Sequence, residues 1–359
     1  MPQGSSHTSK MLGGIAAQYR DELEVDVMYL CRPGFDASLP ARRNDPLAHL
    51  PGRRCYLLGQ QLYFQDGPMD LEAYEHVVFQ SIGDSTAALV GRVFSPERID
   101  VLITDDELDG RRRFYEMVAQ YPHQEAELRA RIGFSPAVER AFEQLQHFVA
   151  PRTPWQQLLE LRREAPLTML DVLVPFQSYA MSAVDTQKPP GLVRIAMAQK
   201  PTDPSLLRSA VAQLAELFGA HPTLRFQVLV FGLEKWPKFQ LFDAALTNVS
   251  QVTLDTPITE SAYWNLLLGC DALLLNSRGG LGGLLRALTH RVGVVDLWEG
   301  PSYNRECVEG LGATLQQADD LARFLSTGRR DAAQLERNAR VVGAKLSEGT
   351  EFILQRYLC

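Results

Sequence analysis

Residues 271–297 constrain this chain most, reading Asp-Ala-Leu-Leu-Leu-Asn-Ser-Arg-Gly-Gly-Leu-Gly-Gly-Leu-Leu-Arg-Ala-Leu-Thr-His-Arg-Val-Gly-Val-Val-Asp-Leu. The short unbroken apolar run 272–275 is what a strand covered on both faces of a parallel sheet requires, and 292–297 repeats it after one helix. That spacing predicts a β-α-β unit. Between the strands, Gly279, Gly280, Gly282 and Gly283 remove four Cβ atoms where the helix begins, leaving backbone N–H groups open to close approach. The run reads either as an anion-binding loop or as a tight turn that packs helix against strand.

The rest of the chain extends the pattern. Strands are expected at 25–31, 55–58, 61–64, 76–80, 99–104 and 169–176, and a helix at 87–94 capped by Asp84 or Ser85. Residues 114–163 read as helical, broken at Tyr121-Pro122 and Ala150-Pro151. Residues 185–191, with two consecutive prolines and no apolar period, read as an interdomain linker. After them the alternation is regular: strands at 193–197, 226–231 and 252–254, helices at 205–218, 239–246 and 260–268. Helices at 315–325 and 332–357 follow the opening unit. This divides the chain into a domain over 1–184, a linker, a second domain over 192–340 and a returning helix over 341–359.

With 359 residues the chain suits two domains of roughly 150 to 200 residues. A 45% hydrophobic, 22% charged composition is that of a globular protein, and a net charge of -7 argues against a nucleic-acid partner. No apolar run approaches the ~20 residues that span a bilayer, and the polar start lacks a signal peptide's apolar core, so a cytoplasmic location is expected, compatible with peripheral membrane contact. The opening loop and helix lack a preceding strand, which suggests a natural start further upstream. Cys31, Cys55, Cys270, Cys307 and Cys359 are odd in number and widely spaced, with no zinc-holding pair, and read as reduced structural thiols.

Two Rossmann-like halves joined by a proline-containing linker, with a glycine loop in the second half and a long terminal helix, resemble the GT-B architecture of nucleotide-sugar glycosyltransferases. The resemblance is carried by residues 192 to about 340. The turn Ala196-Met197-Ala198-Gln199-Lys200-Pro201-Thr202-Asp203 is similar to the strand-to-helix turn that supplies a cation to the donor diphosphate. His221-Pro222-Thr223-Leu224-Arg225-Phe226 and the strand after it resemble the family's next segment, and 271–295 its stretch for donor phosphates and sugar. Many retaining members place a glutamate in that loop and another in the helix. Here 278–283 and 284–290 contain none. The length and the loop 279–284 also look like the small transferases that add an acetamido-dideoxy-galactose in enterobacterial antigen assembly. The resemblance implies an α/β fold of two Rossmann-like domains facing across a cleft, with the C-terminal helix crossing back to the first domain. It further implies hexosyl transfer from a nucleoside-diphosphate sugar to a hydroxyl acceptor on a glycan, glycolipid or protein, in bacterial surface glycan or glycoconjugate assembly.

On that reading the donor is held by Gln199, Lys200, Asn276, Ser277, Arg278, Gly279, Gly280, Gly282 and Gly283. Loop amides and one or two cations offset the diphosphate charge without a metal or other cofactor. The cluster Asp105-Asp106-Glu107-Leu108-Asp109 has three readings: a metal site, a helix cap, or a general base supplied by Asp105 or Asp106. His7 is a rival base. Its neighbours Ser5, Ser6, Thr8 and Lys10 form a loop dense in short hydrogen-bonding groups, read as acceptor-facing or as a solvated terminus. Trp298-Glu299-Gly300-Pro301 either touches the donor or turns the chain. Two other classes fit the pattern. One is a non-catalytic sugar-nucleotide binding or assembly protein, favoured by the missing glutamates. The other is a sugar-nucleotide epimerase, for which His7, His221 and His290 are the histidines near strand ends.

Overall fold

The computed structural model describes residues 26–31, 52–58, 61–64, 67–103, 107–161, 167–171, 188–198, 204–231, 241–254, 260–276 and 280–357. The chain divides into two compact units, one of Met1–Tyr179 with Lys345–Cys359, the other of Ala180–Ala344.

In the first unit β1 (Val27–Cys31) pairs in parallel with β2 (Arg54–Leu58), which pairs antiparallel with β3 (Gln61–Phe64). A second sheet places β4 (Val77–Phe79), β5 (Ile99–Leu102), β6 (His147–Ala150) and β7 (Thr168–Asp171) side by side, all parallel. Between them run α1 (Asp84–Ala87), α2 (Glu107–Gln120), α3 (Glu125–Ile132), α4 (Pro136–Gln144) and α5 (Arg152–Leu161). Side chains alternate across a strand. On β5, Ile99 and Val101 therefore enter the core with Phe148 and Ala150 of β6, while Leu102 meets Val149 on the other face.

Three expectations change in this unit. The helix placed at 87–94 is a single turn that starts earlier, with Gly83 at its N-cap and Asp84 inside the first turn. β6 interrupts the helical reading of 114–163. After His147 its three residues are apolar on both faces, and so short a run has no period to separate strand from helix. The helical stretch expected from 114 begins earlier, at Glu107, so Arg111 lies inside α2. Arg111 is fully buried between the rings of Phe134 and Phe142, with its guanidinium carbon 4.0 and 4.2 Å from the ring centroids, and it pairs with Glu139 at 3.1 Å.

The second unit holds β8 (Leu192–Ala198), β9 (Arg225–Phe231), β10 (Val249–Leu254), β11 (Ala272–Leu274) and β12 (Gly293–Val295) in one parallel sheet of order β10-β9-β8-β11-β12. Its helices are α6 (Pro204–Ala220), α7 (Glu260–Leu268), α8 (Leu281–Thr289), α9 (Tyr303–Gly310) and α10 (Ala318–Thr327). Phe218 stacks on Phe226 with centroids 4.2 Å apart, and Phe242 completes the cluster. The helix expected at 239–246 is absent over 241–246. There Phe242 is drawn into the core, and Asp243 closes a turn by accepting from the N–H of Ala245 at 2.8 Å.

The last helix, α11 (Ala332–Tyr357), begins in the second unit, and its residues from Lys345 onward belong to the first. Ile353 packs on Leu102 and Val149. Asp100, fully buried on the same face of β5, accepts from Arg356 Nε at 2.6 Å, Arg356 Nη2 at 3.0 Å and the Tyr357 hydroxyl at 2.8 Å. Among the described residues no helix is long and apolar enough to cross a membrane.

Candidate functional site

The order of the second sheet sets where a ligand can bind. Chain order runs outward from β8 through β9 to β10, then returns to β11 on the other side of β8, so the direction of winding reverses between β8 and β11. Open parallel sheets bind ligands outside the carboxyl ends of their strands at this reversal. Met197 is in register with Leu274. The carboxyl ends of β8 and β11 therefore lie side by side.

Gly280 opens α8 as its N-cap with φ 67° and ψ 18°, a left-handed conformation that L-residues adopt only at a cost. No side chain caps this helix, and its first turn contains no acid. The N–H groups of Gly283 and Leu284 turn back to the Gly280 carbonyl at 2.9 and 3.3 Å. An exposed glycine at the positive end of a nine-residue helix dipole is an environment that favours an anion. Gly283 plays a lesser part: a Cβ there would meet the Tyr263 hydroxyl at 3.6 Å, an ordinary contact.

Asn276, just after β11, is buried. Asn304, on the first turn of α9 and fully buried, donates from Nδ2 to the Asn276 carbonyl at 2.9 Å and to its Oδ1 at 3.1 Å. On the far side of α8, Arg286 lies over the Trp264 ring, 4.2 Å from its centroid. The segment after β12 is a built turn. Arg305 pairs with Asp296, donates to the Trp298 carbonyl at 2.6 Å and to the Gly300 carbonyl at 3.0 Å, and the indole of Trp298 donates to the Pro301 carbonyl at 3.2 Å. Glu299 accepts from Ser209 of α6 at 2.7 Å. Of the two readings of 298–301, these bonds describe the chain-turning one.

Of the residues singled out in the sequence, the structure brings together Asn276, Gly280, Gly282 and Gly283. Gln199, Lys200, Ser277, Arg278 and Gly279 lie outside the described residues, as do Asp105, Asp106, His7, Ser5, Ser6, Thr8 and Lys10. Asp109, the other described member of the acidic cluster besides Leu108 and Glu107, is 1% exposed inside α2 and pairs with Arg113 at 2.9 Å and Arg112 at 3.5 Å. Those arginines offset its charge through two intrahelical ion pairs. His221 follows α6 ahead of β9, and His290 follows α8 ahead of β12. Both stand at the amino ends of strands, opposite the crevice, which removes them from the chemistry the epimerase reading asked of them. Sequence reasoning missed α9 and with it Asn304 and Arg305. The available signal was Ser302, whose hydroxyl caps α9 by accepting from Arg305 N–H at 3.2 Å.

Cys55, Cys270 and Cys307 are buried free thiols. Burial pushes Cys270 up to about 12 and Cys55 to about 11, so neither is a nucleophile at neutral pH.

No family model matches this chain, and no curated protein matches it. Solved structures do. A trehalose-6-phosphate protein from E. coli bound with UDP-2-fluoro glucose aligns over 79% of this chain and 73% of its own, with 9% identity and a TM-score of 0.50. The glycotransferase of kitacinnamycin covers 72% of this chain and 70% of its own at 15% identity and TM-score 0.42, and the spinosyn forosaminyltransferase SpnP covers 79% and 74% at 16% and 0.41. At 9% identity the E. coli match bears on fold alone. The chain has the fold of GT-B glycosyltransferases, a mixed α/β architecture of two Rossmann-like units.

Proposed function

We propose that this chain is a glycosyltransferase that moves a sugar from a nucleoside-diphosphate sugar to a hydroxyl acceptor without a metal. One observation carries the reading: a left-handed glycine opens a helix that has neither side-chain cap nor first-turn acid, at the carboxyl end of a strand beside the winding reversal of a parallel sheet. The donor diphosphate is assigned to the amides around Gly280 and Gly282, with Asn276, Ser277, Gly279 and Gly283 beside them. Arg278, Lys200 and Gln199 supply charge and hydrogen bonds from the two adjoining strand ends. Proton removal from the acceptor is assigned to Asp105 or Asp106, with His7 as the rival, and acceptor contact to Ser5, Ser6, Thr8 and Lys10. A bacterial glycan or glycoconjugate acceptor and a cytoplasmic setting complete the reading. The absence of glutamate from the loop and helix 278–290 favours a second reading, a sugar-nucleotide binding protein that turns nothing over.

A thermal-shift screen against nucleoside diphosphates and their sugars tests both, since a ligand at 100 times its dissociation constant adds about 2.7 kcal/mol. The proposal expects a stabilising nucleotide and slow donor hydrolysis that persists in EDTA. Stabilisation without any hydrolysis or transfer supports the second reading, and no stabilisation by any nucleotide refutes both.

A further inference from the structure

The chain passes between its two units twice, between Tyr179 and Ala180 and again between Ala344 and Lys345. In the second unit both passages lead to one carboxylate. Asp271, just ahead of β11, has a side chain 2% exposed and is itself fixed to β8: its N–H donates to the Arg194 carbonyl at 2.7 Å, and its Oδ2 accepts from the Arg194 N–H at 2.9 Å. Oδ2 also accepts from Lys188, within the expected linker, and Oδ1 accepts from Arg330, just ahead of α11. Among the described residues neither cation pairs with another carboxylate. The dependence is unequal. A carboxylate held away from water is costly without partners, whereas the Lys188 and Arg330 side chains are 27% and 32% exposed and water solvates part of each.

We infer that Asp271 is a joint, one buried anion that fastens both the linker and the start of α11 to the β8–β11 part of the second sheet. Residues 188–191, the last four of the expected linker, then move with that sheet, as does the chain entering α11. The two attachments are separable. Lys188 and Arg330 are like charges on opposite oxygens, so removing one leaves the carboxylate wholly to the other, while removing the carboxylate frees both. The joint does not depend on the donor-site reading of the glycine loop.

Hydrogen exchange followed by mass spectrometry on the full chain tests this with Asp271→Asn, Lys188→Gln and Arg330→Gln beside wild type. One peptide holds Leu192, whose N–H donates to the Pro189 carbonyl at 3.2 Å; a second holds Gln334, whose N–H donates to Asp331 Oδ1 at 2.9 Å; a peptide from β9 is the reference. Asp271→Asn should speed exchange about tenfold or more in both peptides, the loss expected for a hydrogen bond to a charged group, with β9 unchanged. Lys188→Gln should speed only the first and Arg330→Gln only the second. Wild-type exchange of either peptide in Asp271→Asn overturns the inference. Equal acceleration of β9 also overturns it, because Asp271 would then support the fold at large. Acceleration of both peptides by one cation variant overturns it too, since the carboxylate would still hold the other cation. Should Asp271→Asn not fold, the double variant Lys188→Gln with Arg330→Gln keeps the carboxylate and its bond from Arg194; both peptides are again expected to exchange about tenfold faster, and an unchanged rate in either overturns.

Discussion

Gly280 and Gly283 lie three residues apart and should respond to the same substitution with opposite signs. At Gly280 an added methyl meets no crowding, since its nearest neighbour is Asn276 Nδ2 at 3.9 Å. The whole penalty is the backbone, held at φ 67°, where an L-residue pays about 1 to 2 kcal/mol relative to its right-handed well. At Gly283 the backbone is helical and the methyl would sit 3.6 Å from the Tyr263 hydroxyl, a normal contact. Alanine there removes a glycine from a helix, favourable by up to about 1 kcal/mol. The variants should thus differ by about 2 kcal/mol, with wild type between them. For a unit of this size, at roughly 2 to 4 °C per kcal/mol, Gly280→Ala should melt about 4 to 8 °C below Gly283→Ala. Scanning fluorimetry on both variants beside wild type decides it. A Gly280→Ala protein as stable as wild type would refute the left-handed cap. Gly283→Ala melting below Gly280→Ala would refute the ordinary contact assigned to a methyl at Gly283.

Other outcomes follow from single contacts. Asp100→Asn leaves Arg356, whose side chain is 25% exposed, without its carboxylate; the buried-pair cost of about 3 to 5 kcal/mol is reduced by that exposure to about 2 to 3, readable by urea denaturation. Asp26 is desolvated, which raises its pKa, but hydrogen bonds from Tyr74 and from Arg53 outweigh burial and leave it lowered. Its stabilising contribution is therefore fully present above the ordinary carboxylate range and is lost as pH falls through the lowered folded value. Asp26→Asn should flatten the acid end of the stability profile, and an unchanged slope would refute the assignment. Cys270, pushed up to about 12, should stay unlabelled by iodoacetamide at pH 8 in the native protein and react on unfolding, as mapped by mass spectrometry.

Elements of local origin could be read directly from the residues. The runs 272–275 and 292–295 are apolar because both sheet faces are covered, and the terminal helix matches its periodic stretch at Ala332–Tyr357. What failed depended on distant partners. His147-Phe148-Val149-Ala150 becomes a strand only because Val101 and Met169 stand in register on either side of Phe148. Residues 241–246 lose their expected helix because Phe242 packs against Phe218 and Asp243 bonds its own backbone.

The candidate site divides the same way. A glycine run at the end of an apolar strand is legible in sequence because its backbone cause is local, and Gly280 indeed opens α8 in a left-handed conformation. Asn304 shows nothing of itself in sequence: it stands 28 residues beyond Asn276 and bonds it only because α9 brings its amide to that carbonyl. The histidines make the converse point. His221 and His290 each stand near a strand in the sequence, but periodicity carries no direction. Their order ahead of the strands is plain in sequence, but only the parallel pairing of all five strands puts those amino ends together, at the end of the sheet opposite Gly280. A polar residue beside a strand becomes a candidate for chemistry when the topology says which end of the strand it occupies.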